Sequence, residues 1–185
     1  MTNNAYRYTL YERFIHMGLA AFGIFAYLTA EGAEHNDGGL AYQLHAYLGL
    51  AVMAFVLLRI LKGVTGSSEL RFSSWSPFSK TQWLQALADV KSLAQLKLPE
   101  QGMHGGIAGL VQAFGLMIFA WMAATGTALY FIDESSNGML FELFEETHEV
   151  GEELIPLFLL LHVGAVIAHS LLGKPNWQKM WRLDK

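Results

Sequence analysis

Four histidines in this chain fall where a buried metal-binding group would be useful: His16, His45, His148 and His162. Each sits in or at the edge of a long apolar stretch, where an ionisable side chain is costly and is generally kept for a function. His148 and His162 share one stretch and are fourteen residues apart. At about 100° per helical residue, that interval leaves the two rings within ~40° of one another on one face. The same interval separates them by ~21 Å along the axis, at opposite depths of a bilayer. Such a helix serves two separate centres and never one. His45 enters from the same side as His148, and His16 from the same side as His162. The expected pairs are therefore His45 with His148 and His16 with His162, each suited to a haem iron. A bis-histidine haem has no open coordination position and favours electron transfer over oxygen chemistry. A single intramembrane histidine serves equally as a hydrogen-bonding core residue or a proton-relay member. Two pairs matched in depth are harder to obtain by chance.

The other histidines divide less sharply. His35 lies in a polar loop and reads as solvated. His169 follows His162 by seven residues on nearly the same face, as a rival ligand, a propionate contact or an interfacial residue. His104 stands in Gly102-Met103-His104-Gly105-Gly106, where a donor beside bare backbone suits a quinone carbonyl, or simply opens a helix. Arg13 and Arg59, at span ends, are candidates to neutralise haem propionates; anchoring at the membrane surface explains them equally.

The elements that must position these residues are transmembrane helices. Hydrophobic residues make up 53% of the chain and charged ones 15%, against roughly 25% charged in soluble domains. Four stretches, about 10–30, 41–62, 105–132 and 152–173, are long enough to cross ~30 Å of hydrocarbon, and helices satisfy their backbone internally there. The expected fold is an all-α, four-span bundle forming one domain over 1–185. Residues 1–10 lack a signal peptide's apolar core and cleavage site, so the first span is expected to be retained.

All 12 Lys and Arg residues fall in the amino-terminal segment, the 63–104 connection with its flanks, or the carboxy-terminal tail. By the positive-inside rule these three face the cytoplasm, as do both termini. The opposite side has no basic residue. Its first loop carries Glu31, Glu34 and Asp37, and its second carries Asp133, Glu134, Glu142, Glu145, Glu146, Glu149, Glu152 and Glu153. In the cytoplasmic connection, a helix capped by Ser79 or Thr81 and running to Leu96 sets Trp83, Leu84, Leu87, Val90 and Leu93 along one side. That pattern suits a helix lying on the inner membrane surface, or a plain amphipathic connector. A second short helix, from Met139 to His148, is expected over the outer face.

There are no cysteines, which excludes disulfides, thiolate-held iron–sulfur clusters and covalent C-x-x-C-H haem attachment. Redox chemistry must use a non-covalently held group. A transporter or channel would need broken helices or charges within the spans, and Pro156 is the one candidate break. No nucleic-acid partner is expected.

The residues resemble the bacterial dihaem cytochrome b561 family and the related b-type subunits of nickel–iron hydrogenases and formate dehydrogenases. The similarity is carried by Arg13-Phe14-Ile15-His16, by Leu44-His45-Ala46-Tyr47-Leu48-Gly49 with Leu57-Leu58-Arg59, and by Gly102 to Gly109. Thr125-Gly126, Thr147-His148-Glu149, Leu161-His162-Val163 and His169 complete it. Met17 stands where the family usually has tryptophan, and the third span opens without the Asn-Pro pair. The resemblance implies a four-helix bundle with His16, His45, His148 and His162 as ligands of two b haems. It also implies a quinone site near the inner haem, which strengthens the case for His104.

Two functions follow. The first is transmembrane electron transfer between the quinone pool and a periplasmic cytochrome c or dehydrogenase subunit, docked on the acidic face. The second is a stand-alone superoxide:quinone oxidoreductase in the bacterial inner membrane. The acidic face would repel an anionic substrate.

Overall fold

The computed structural model describes residues 8–34, 39–66, 71–75, 77–95, 97, 99, 105–132, 134–173 and 177–181. Its elements are α1 (Leu10–Glu34), α2 (Leu40–Thr65), α3 (Phe72–Trp75), α4 (Lys80–Ala94), α5 (Gly106–Phe131), α6 (Glu134–Leu171) and α7 (Gln178–Trp181). No strand occurs among the described residues. Helices α1, α2, α5 and α6 are each long and apolar enough to cross a membrane. Few of their side chains are buried within the protein, as expected where lipid covers the outward faces.

α1 opens on a capping box: Thr9 N donates to Glu12 Oε2 at 2.8 Å, and Glu12 N donates to Thr9 Oγ1 at 3.3 Å. The pair satisfies two of the donors that a helix start leaves open. α1 packs along α2, α2 against α5, and α5 against α6, and α1 faces α6 through the rings of His16 and His162. The four spans form a bundle, with Val52, Val56 and Ala123 buried at the α2–α5 seam against Leu19, Phe22 and Phe119.

One expectation changes. Met139 to His148 is not a separate short helix: α6 runs continuously to Leu171, and its dihedrals leave the helical region at Asn137. From Gly138 onward it extends about 50 Å at 1.5 Å per residue, so its first turns rise well beyond ~30 Å of hydrocarbon. The carboxylates from Glu142 to Glu153 suggest a break by polarity, but glutamate is a good helix former. Glu142, Glu145, Glu146, Glu149 and Glu153 are exposed, and Gly151 is buried where a Cβ would meet Met122. The helix also continues through Pro156.

α4 is turned the other way from a simple amphipathic packing element. Trp83, Leu84, Leu87, Val90 and Leu93 are exposed, while Gln82, Ala86 and Asp89 are buried. Gln82 Nε2 donates to the Gly106 carbonyl at 3.0 Å, and Ile107 N donates to Asp89 Oδ2 at 2.9 Å. Gly106 has φ +59°, and a Cβ there would strike the Asp89 carboxylate. Polar groups therefore fasten α4 to the open donors at the start of α5. Its apolar row is left facing outward, as a surface-lying helix requires.

Candidate functional site

α6 carries two histidines, and each meets a ring from another helix. The His45 and His148 ring centres are 6.2 Å apart, with their planes at 88°. Those of His16 and His162 are also 6.2 Å apart, at 45°. An imidazole nitrogen binds a first-row metal at about 2.0–2.1 Å and lies roughly 1 Å from its ring centre. Two rings gripping one ion from opposite sides therefore sit about 6 Å apart. Both pairs have that spacing. No group of three or more His, Cys, Asp or Glu side chains placed to hold a metal ion occurs among the described residues. A metal between such a pair would take its remaining donors from a bound group such as a flat macrocycle.

The outer pair is oriented by hydrogen bonds. His45 Nδ1 lies 2.9 Å from the Ala26 carbonyl oxygen, which can only accept. His148 Nδ1 lies 2.8 Å from Thr125 Oγ1, whose own proton is donated to the Trp121 carbonyl at 2.9 Å. With that proton on the Trp121 carbonyl, Thr125 accepts from His148. In that tautomer both rings carry their proton on Nδ1 and leave Nε2 as the bare donor, the arrangement that supports a metal-bound histidine. Gly126 makes room for this ring, since a Cβ there would stand 3.0 Å from His148 Cε1. At Gly49, one turn inward from His45, a Cβ would meet nothing within 4 Å, so this helix surface has space beside it. A cleft of about 550 Å³ opens nearby between Tyr27 of α1 and Glu149, Val150, Glu152 and Glu153 of α6.

The inner pair is held by packing. Phe158 stacks on His162 with centroids 5.4 Å apart and planes at 19°, and Phe119 meets Phe158 edge-on at 6.0 Å. Gly115 lies where a Cβ would collide with the Phe158 ring. His16 Nδ1 is buried with no hydrogen-bond partner among the described residues. Around this end, Arg59 lies over the rings of Phe72 and Trp75, 5.7 and 5.4 Å from their centroids. Its two terminal nitrogens are buried without a hydrogen-bond acceptor among the described residues, and so is His169 Nδ1. Donors left in this way suit the carboxylates of a bound group. Burial, and then the neighbouring Glu12 carboxylate, pushes the Tyr8 phenol up, so it stays neutral beside them. Arg13 lies on the same turns of α1 as His16. His104, with Gly102 and Met103, lies outside the described residues, as does His35.

The two ring pairs, His45 with His148 and His16 with His162, match those expected from the depths of the histidines along the spans. Sequence reading gave no role to Thr125, and none to the Ala26 carbonyl. A hydroxyl inside an apolar span, next to glycine, was the one available signal for Thr125. A backbone acceptor leaves no signal at all.

The model of a family described as prokaryotic cytochrome b561 matches residues 7–183. No curated protein and no solved structure gives a match. That family moves electrons through the membrane on b-type haem, and two facing imidazole pairs among four apolar spans are suited to hold it. The chain belongs to the prokaryotic cytochrome b561 family and is a multi-pass bacterial membrane protein.

Proposed function

We propose that this chain carries electrons between the quinone pool and a redox protein docked at the outer face of the bacterial inner membrane. In this reading His45 and His148 hold one b haem near the outer face, and His16 and His162 hold a second near the inner face. The observation that supports it best is the repeated 6.2 Å ring spacing at two places on one helix, ~21 Å apart along its axis. When bound, such a haem would supply one-electron transfer.

The remaining roles belong to the chain itself. Ala26 and Thr125 set the tautomers of the outer rings. Phe158 fixes the plane of His162. Arg59 and His169 offer donors to propionates at the inner end, with Arg13 beside them. His104, which precedes α5 in the sequence, is the candidate donor to a quinone carbonyl. The carboxylates along the first turns of α6 rise above the hydrocarbon, where they would guide a positively charged cytochrome c or dehydrogenase subunit into place. They would turn away an anion such as superoxide.

Purification in mild detergent tests this directly. A reduced-minus-oxidised spectrum should show a b-type α-band, and a multihaem cytochrome or dehydrogenase should accompany the protein. Absence of the α-band would remove the haem reading. A solitary protein that reduces quinone with superoxide at high turnover would replace the partner reading with the stand-alone oxidoreductase.

A further inference from the structure

The two pairs differ in what each ring's second nitrogen does. His45 Nδ1–H ends on the Ala26 carbonyl, and His148 Nδ1–H ends on Thr125, which is itself committed to Trp121. An acceptor on that nitrogen gives the imidazole part of the character of an imidazolate and raises its basicity toward a metal. A more basic ligand favours the more oxidised metal and lowers its potential. His16 Nδ1 has no such acceptor among the described residues.

Charge acts in the same direction. Glu149 directly follows His148, and Glu152 and Glu153 line the cleft one turn further along. Negative charge nearby stabilises a centre's oxidised, more positive form. At the opposite end stands the Arg59 guanidinium, whose terminal nitrogens lack an acceptor among the described residues, with the Glu12 carboxylate in its neighbourhood. Positive charge there stabilises the reduced form. Ligand basicity and the carboxylates beside the outer pair therefore act in the same direction.

We propose that the His45–His148 site has the lower potential of the two and that Thr125 sets it as a positioning residue. The proposal rests on the ligand assignment above and adds an order of potentials to it.

The test is an equilibrium redox titration of the purified full-length protein, followed through the α-band. The wild type should resolve into two components. Thr125→Val removes the acceptor and should raise the lower one, with about a tenfold change in its oxidised-to-reduced ratio, or ~59 mV for one electron. The upper component should not move. Thr125→Ser keeps the hydroxyl and should titrate as wild type. His148→Ala should delete the lower component. An unmoved lower component in Thr125→Val, an equal shift in Thr125→Ser, or loss of the upper component in His148→Ala each overturns the proposal. If Thr125→Val and Thr125→Ala lose the outer haem while Thr125→Ser keeps it, the hydroxyl's role stands and His148→Ala decides the order. A wild type with fewer than two components overturns the ligand assignment itself, before any variant is made.

Discussion

His45 and His148 lie as far apart as His16 and His162, 6.2 Å between ring centres, yet the chain secures the two pairs by different means. Outside, polar atoms do it: a backbone carbonyl of α1 and a hydroxyl of α5 each take a ring proton. Inside, aromatic packing does it, through Phe158 on His162 and Phe119 on Phe158. A hydrogen bond fixes a ring's rotation and its tautomer together. Stacking fixes the plane and leaves the proton free to choose. Similar spacing thus comes with a polar, prearranged site on the acidic side and an apolar, more adaptable one on the basic side. In both cases a glycine of α5 leaves the room, Gly126 for the His148 ring and Gly115 for Phe158.

The largest effects should come from the ligands. His45→Ala and His148→Ala should each lose the outer haem alone, and His16→Ala and His162→Ala the inner one alone, each removing about half of the α-band. Next come the α5 glycines. Gly126→Leu should displace His148 and empty most of the outer site with the inner one intact, and Gly115→Leu should do the converse through Phe158. Low-temperature spectra that split the α-band would read both; equal losses from either variant would mean that the sites are not separately supported. A smaller change is expected from Phe158→Ala. Aromatic pairing contributes about 0.5–1.5 kcal/mol, so haem loss from the inner site should quicken up to roughly tenfold, with the outer rate unchanged. Smallest is Asp89→Ala, which removes the cap from α5. Helix caps contribute about 1 kcal/mol, so thermal stability in detergent should fall slightly while the ratio of the two haem signals stays put.

How much of this could be seen in the sequence varies with the interaction. Four spans were legible because crossing hydrocarbon demands unbroken apolar runs, and helix periodicity turned His148 and His162 into a statement about depth. The continuity of α6 was hidden, because a run of glutamates reads as a loop by polarity although it propagates a helix well. The inward turn of Gln82 and Asp89 was hidden for a similar reason. An amphipathic pattern identifies two faces, but the open donors at the start of α5 decide which face docks. Thr125 lay in plain view beside Gly126, yet its value depends on a ring reaching it from twenty-three residues away. Contacts of that kind exist only once the helices have packed.

The central claim is that the four histidines form two independent pairs, and haem content in paired variants tests it most directly. His16→Ala/His162→Ala should retain one haem per chain, no fewer than either single variant, because both changes strike one site. His16→Ala/His45→Ala should retain none. A haem persisting in the second double variant, or both lost from the first, would contradict the pairing.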